Sequence, residues 1–322
     1  MGEGRAKRAA LVYNPVKVDG ASLRQKVLQF SRLAGWSDPV FEETTVDDLG
    51  QDATRRAIAE GVDAVLVAGG DGTVRAVSAT VMSTGIPLTI VPSGTGNVLA
   101  RNLKLPLTDP DAVIAATFNG EHRAIDIGTA RITRPDGAVE DEAFVVMAGI
   151  GLDAAMIANT RSHWKKKIGW IAYIDGAARA LPNAEPFRAV YQLDSRRLHA
   201  VKVHSMLFTN CGTLPAGIEL VPDAAIDDGM LDVALFQPTG WFGWVGVWRK
   251  VWWDNTVLRR TRAGRRIVQR RKSTSVHYLR GAAIETAPVS PQPVELDGDE
   301  FGDAVRILCR IVPEGLIVAL PR

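Results

Sequence analysis

The sequence predicts an α/β domain built on a parallel sheet, followed by an antiparallel β-sandwich domain. Three observations carry this. The first third of the chain alternates short apolar runs with segments of helical period, joined by short links. From about residue 122 the pattern becomes strand after strand. Turn signals such as Pro135-Asp136-Gly137 and Asp194-Ser195-Arg196 separate several of those later runs.

The elements follow in order. "AALVYNP" reads as a buried strand ending in an Asn-Pro turn. Ser22 is placed to cap a helix with Leu23, Val27, Phe30 and Ala34 on one face, stopped by Gly35. "PVFEE" is a second strand, and Asp47 or Asp48 starts a helix that ends near Gly61. "DAVLVA" is a third strand with the helix "TVRAVSATVMSTG" after it. "PLTIVPSG" is a fourth, followed by a short helix from Asn97; Asp109-Pro110 opens one more helix, closed by Gly120. The later strands are "HRAIDIGTARI", "EDEAFVVMAGI", "FRAVYQLD", "HAVKVHSMLFTN", "MLDVALF", "VHYLRGAAIETA", "PVELDGDEFGD" and "VRILCRIV". Helical patterns interrupt them at roughly 164–181 and 241–268. With no repeat and no low-complexity linker, the two halves are expected to share a cleft.

Composition narrows the function classes. The chain has 322 residues, 46% of them hydrophobic, which describes a globular protein with a sizeable core. A net charge of +2 confines any polyanion-binding surface to a local patch. Cys211 and Cys309 form no CxxC motif, which argues against a disulfide framework or zinc site and for a reducing cytoplasm. The N-terminal stretch lacks a signal-peptide apolar run, and no apolar run is long enough to span a bilayer.

Two glycine turns stand where an open α/β sheet binds ligands, at the carboxyl ends of strands: Gly69-Gly70-Asp71-Gly72-Thr73 and Pro92-Ser93-Gly94-Thr95-Gly96-Asn97. Glycine lets the backbone approach a ligand, and the helix that follows offers N–H groups to a phosphate. A Walker A lysine is missing, so neutralisation must come from elsewhere. A carboxylate beside a triphosphate then serves a bridging Mg²⁺ or the phosphate acceptor. The bare motif is equally compatible with an Asp-Gly turn that closes a strand.

"GGDGTV" and, about twenty residues on, "PSGTGNVLAR" resemble the diacylglycerol kinase catalytic domain of bacterial lipid kinases, a group related to sphingosine kinases and distantly to NAD kinases. Asn14-Pro15, "AIDIG" (124–128), "GIGLDA" (149–154), "PDAAIDDGMLD" (222–232) and "LDGD" (296–299) fall in the family's order.

The resemblance implies a two-domain fold: residues 1–124 with 312–322 returning form a nucleotide-binding α/β domain, and residues 125–311 a lipid-substrate β-sandwich, with the nucleotide between them. It implies ATP on Gly69, Gly70, Asp71, Gly72, Thr73, Gly94, Thr95 and Asn97, with Thr45 nearby and Thr44 an equal alternative. It implies Asp71 and Asp126 in a catalytic Mg²⁺ network, a structural Mg²⁺ on Asp227, the Met230 carbonyl and Asp232, and Asp299 as catalytic base. Asp227-Asp228-Gly229 also reads as a plain hairpin turn, and "LDGDE" as a tight acidic turn. Departures are Asp299 where the family has Glu (Glu300 stands next to it), Arg75-Ala76 where it favours Asn-Glu, Val98 where it often has Asp, and "CGTLPAGIEL" for a richer glycine stretch. Arg75 is expected near the phosphates.

Trp241, Trp244, Trp248 and Trp252 recur at helical spacing, and ten Lys/Arg against one acid lie from Arg249 to Lys272. Such a segment, 241–272, suits an anionic membrane surface, extended by Arg161 and Lys165–Lys167 beside Trp164; the indoles could instead pack on the sandwich. Nucleic acid is not an expected partner, for want of a recognised binding fold. "GIGLDA" mimics a dinucleotide fingerprint, but Asp175 falls in a helical pattern where a strand end is needed. The reading is an ATP- and Mg²⁺-dependent kinase acting on a hydroxyl of diacylglycerol or a related lipid, cytoplasmic and peripherally membrane-associated. NAD kinase and a non-catalytic lipid- or nucleotide-binding homologue are the alternatives. The sequence leaves oligomeric state open, a homodimer included.

Overall fold

The computed structural model describes residues 5–94, 96–151, 185–213, 221, 224–237 and 276–322. The chain divides into two compact units, Met1–Ile127 with Val312–Arg322, and Gly128–Ile311. The first unit holds β1 (Ala9–Tyr13), α1 (Gly20–Leu33), β2 (Val40–Glu43), α2 (Gln51–Ala59), β3 (Ala64–Gly69), α3 (Asp71–Val81), β4 (Leu88–Pro92), α4 (Val98–Asn102) and α5 (Pro110–Asn119). Its strands run parallel in the order β2-β1-β3-β4. The last strand, β16 (Arg306–Leu320), returns to this unit, where Val318 pairs in parallel with Leu88 of β4.

Every residue of β1 and β3 is buried, which is why both are unbroken apolar runs: a parallel sheet is covered on both faces. Leu11, Tyr13, Leu66, Ala68 and Val91 pack on Leu23 and Val27 of α1 and on Val113 and Ile114 of α5. The helix starts differ from expectation. Asp19, not Ser22, caps α1, its carboxylate accepting the Ser22 N–H. Ala34 is exposed, and Ser31 takes the inner position because its hydroxyl donates to Ser37 O at 2.8 Å. Ahead of α2, Asp48 accepts the N–H groups of Gly50, Asp52 and Ala53. Burial works to raise this carboxyl, but those backbone hydrogen bonds prevail and hold it below its ordinary value.

Strand β5 (Glu121–Thr133) carries the chain on to the second unit, which contains β6 (Val139–Phe144), β7 (Met147–Gly151), β8 (Phe187–Leu193), β9 (His199–Val203), β10 (Ser205–Thr209), β11 (Leu231–Phe236), β12 (Val276–Gly281), β13 (Ala283–Pro288), β14 (Gln292–Leu296) and β15 (Asp299–Ala304). One sheet runs β12-β11-β10-β7-β14-β15, and the first part of β16 pairs antiparallel with β13, which continues through β8 to β9. Ile132, Phe144, Phe187 and Ile284 meet Ile150, Met206, Phe208 and Leu296 from the other sheet in one core. This is the expected antiparallel sandwich. The helical patterns at 164–181 and 241–268 lie outside the described residues.

Three runs that read as single strands are each two strands in different sheets. "EDEAFVVMAGI" breaks at Val145-Val146, "HAVKVHSMLFTN" at His204, and "VHYLRGAAIETA" at Ala282. Carboxylates hold two of the breaks. Asp297 Oδ1 accepts the N–H groups of Val146 and Met147 at 2.8 and 2.9 Å, and its Oδ2 that of Val145 at 2.8 Å. Asp194 Oδ1 accepts those of Ala282 and Ala283 at 2.8 and 3.0 Å. Both aspartates have left-handed backbone, φ 51° and 47°. Removing the Asp297 carboxylate leaves three buried donors without their acceptor, at about 1–3 kcal/mol each. Asp297→Ala is therefore expected to lower the unfolding free energy by at least ~3 kcal/mol in urea titration; a loss under ~1 kcal/mol contradicts this role.

Candidate functional site: two joined glycine turns

The sheet order places a topological switch at the carboxyl ends of β1 and β3, since the chain leaves β1 to one side for β2 and returns on the other as β3. Both glycine turns emerge at that edge. Gly69 ends β3, and Gly70 is the extended N-cap of α3, φ −81° and ψ 177°, with no side-chain hydrogen bond capping the helix. The first turn of α3 therefore presents its amide end uncapped by a side chain, as an anion site requires.

The glycines do different jobs. A Cβ on Gly69 would stand 2.7 Å from Thr73 Cβ, because the buried Thr73 side chain folds back over the strand end. A Cβ on Gly70 would meet nothing within 4 Å. A Cβ on Gly94 would lie 3.2 Å from Gly70 Cα and 3.5 Å from Gly69 O, so the second turn rests directly on the first. Asn97 closes that second turn: its Oδ1 accepts the Gly94 N–H at 2.9 Å and its Nδ2 donates to Gly94 O at 2.6 Å, from a left-handed backbone at φ 46°. Arg101 Nε donates to Gly96 O at 2.8 Å.

Asp71 ties the two turns together. The backbone N–H of Val98, which opens α4, donates to Asp71 Oδ1 at 2.8 Å. One carboxylate oxygen thus fixes the spacing of both turns, and the residue remains half-exposed at the helix mouth with Gly72. Val98, a departure from the family pattern, contributes through its backbone alone. Thr45 is exposed, and its hydroxyl accepts the Asp48 N–H at 3.0 Å; Thr44 is buried. Arg75 is only 4% exposed within α3, so it is not the open cation expected beside a phosphate. Thr95 lies outside the described residues.

Asp126 on β5 is 2% exposed, and its Oδ1 accepts the N–H of Glu314 at 2.9 Å, holding a left-handed residue of β16. In the second unit, Asp297 and Gly298 form a two-residue hairpin loop with φ 51° and 93°, and Leu296 pairs with Asp299 across it. Asp299 is half-buried at the start of β15, and Glu300 is exposed. Asp297 is a residue that the sequence patterns do not single out. A signal is present, an Asp-Gly loop after a buried strand, but the residue's partners lie some 150 positions upstream.

Around the residues expected to hold a structural Mg²⁺, Asp228 and Arg280 also take part. The Met230 N–H donates to Asp228 Oδ1 at 3.0 Å. Asp232 on β11 pairs directly with Arg280 on β12, whose guanidinium forms an ion pair with Asp228 and lies 3.6 Å from Asp232 Oδ1. A hard cation needs about six oxygen ligands around it. Here the Arg280 guanidinium stands against the carboxylates of Asp228 and Asp232. The Trp/Arg segment 241–272 and the cluster at 161–167 lie outside the described residues, and among those described no helix is long and apolar enough to cross a membrane. Burial raises both Cys211 and Cys309, with Asp297 adding to the effect at Cys211, so neither is an activated thiol.

A diacylglycerol kinase catalytic domain matches residues 8–130, and a YegS C-terminal NAD kinase beta sandwich-like domain matches 144–320. The chain belongs to the diacylglycerol kinase catalytic domain family. It is 31% identical over 233 residues to a diacylglycerol kinase of Mycobacterium tuberculosis, covering 70% of this chain and 71% of that protein. It is 28% identical over 237 residues to a diacylglycerol kinase of Bacillus subtilis, covering 72% and 74%. Among solved structures, a Bacillus anthracis protein provisionally assigned as a diacylglycerol kinase shares the fold with TM-score 0.73 at 20% identity, over 99% of this chain and 97% of that one. A yeast NADH kinase complexed with NADH does so at TM-score 0.51 and 9% identity, over 99% and 85%.

The geometry separates two glycine variants. Gly69→Ala is expected to destabilise the first unit by about 1–3 kcal/mol, because Thr73 and the strand end cannot both stay in place. Gly70→Ala is expected to stay within ~1 kcal/mol of the wild type, since the space is open and the backbone ordinary. Thermal melts of both check this, and equal losses would contradict it.

Proposed function

We propose that this protein is an ATP-dependent lipid kinase that transfers the γ-phosphate to a hydroxyl of diacylglycerol or a related lipid. The observation that carries the reading is the bond from the Val98 amide to Asp71, which joins two distant glycine turns. Family membership supports it independently. In this reading the α3 amide end, Gly70 and Gly94 admit the triphosphate, and Thr45, Thr73, Thr95 and Asn97 border it. The nucleotide brings its own Mg²⁺, toward which Asp71 supplies carboxylate charge, with Asp126, which also fixes the Glu314 backbone, as a second carboxylate. Asp299 takes the proton of the lipid hydroxyl, with the anchored Asp297 loop setting its position. Phosphoryl transfer asks mainly for such positioning and charge placement. The Trp/Arg segment 241–272 is proposed to hold the enzyme on an anionic membrane from the cytoplasm.

Labelled ATP offered to diacylglycerol in anionic vesicles, beside soluble NAD, tests the reading. Label in the lipid, stimulated by vesicles, is expected. Label in NAD alone would install NAD kinase instead, and no transfer to either would leave a binding protein. Asp71→Asn keeps an oxygen for the Val98 N–H while removing the charge. Its melting temperature should match the wild type while the transfer rate falls about 100-fold or more; an unchanged rate removes Asp71 from the chemistry.

A further inference from the structure

The turn before β11 and the start of that strand carry three acids in six residues, Asp227, Asp228 and Asp232, in a chain with a nearly balanced charge. Of these, Asp232 is buried, and a buried carboxylate needs a charged or hydrogen-bonding partner. The register supplies one from the neighbouring strand: Asp232 and Arg280 are direct partners in the β11–β12 pair, so their side chains leave the sheet on the same face. Arg280 Nη2 is ion-paired with Asp228 Oδ2, while its Nε lies 3.6 Å from Asp232 Oδ1. The Asp232 side chain is 8% exposed and that of Arg280 41%, so the guanidinium covers the buried acid and keeps its own outer edge in water. Asp228 in turn accepts the Met230 N–H, which fixes the bend leading into β11.

We propose that Arg280 is the resident cation of the 227–232 turn, and that the C-terminal unit folds around this guanidinium with no divalent metal bound there. A guanidinium suits this position because it is charged at every accessible pH, planar, and able to address two carboxylates from one side chain. A metal would have to displace it from Asp232 to gain a second carboxylate. The proposal concerns stability, independent of which acceptor the enzyme phosphorylates.

The test is thermal unfolding of the full-length protein without nucleotide, in EDTA and in millimolar Ca²⁺ or Mg²⁺. Wild type is expected to melt within about 1 °C in all three. Arg280→Met is expected to melt about 5 °C lower in EDTA and to regain at least half of that in Ca²⁺, because the vacated turn now takes an oxygen-loving cation. Arg280→Lys, which keeps the charge, should remain insensitive to EDTA. A wild-type protein that loses several degrees in EDTA and recovers them with Mg²⁺ would overturn the proposal. So would an Arg280→Met protein as stable as wild type in EDTA. Metal analysis of dialysed wild-type protein gives a readout that needs no variant: less than one tenth of an equivalent of bound divalent ion is expected, and a full equivalent released only on denaturation would contradict the assignment.

Discussion

A carboxylate that captures backbone N–H groups where the chain departs from regular pairing is the interaction on which this structure turns. Asp71 does so at Val98, joining two loops 27 residues apart. Asp126 does so at Glu314, where the returning strand passes through a left-handed residue. Asp194 and Asp297 do it at the corners where the chain changes sheets, and Asp48 at the entrance to α2. Each bond satisfies a donor that no ladder or helix could reach, and a charged acceptor makes it stronger than a neutral one. Among these, the Asp71 bond matters most for the proposed function, because it joins the turns at two strand ends.

That arrangement also explains how the proposed phosphate site can centre on an acid. Gly94 can rest on the Gly69-Gly70 backbone because it has no side chain at the point of contact, and Asn97 locks the second loop by bonding both ends of Gly94. Asp71 then holds the loops at a fixed spacing. The anion-attracting elements are backbone amides and a helix end; the acid is scaffold on one side and, in the proposed kinase, cation partner on the other.

Much of the first unit was legible because its signals are local. Fully buried strands, glycine ends and the Asp109-Pro110 helix start sit within a few residues of what they determine. The two glycine turns were readable as motifs, but their junction was not, since it depends on the backbone of Val98 rather than on its side chain. The sandwich corners were illegible for a similar reason. "EDEAFVVMAGI" keeps its apolar character through Val145-Val146, and the residue that breaks it is Asp297. The acids Asp227, Asp228 and Asp232 are visible in sequence, whereas the position of Arg280 across the strand pair from Asp232 requires a register.

The central claim is that triphosphate binds at the joined turns. Hydrogen–deuterium exchange of the full-length protein, with and without ATP and Mg²⁺, addresses it most directly. Nucleotide should slow exchange in peptides covering 69–76 and 93–99 together, while the 281–283 corner stays as it was. ATP-dependent protection confined to other regions, with both glycine turns exchanging at their unliganded rate, would contradict the account.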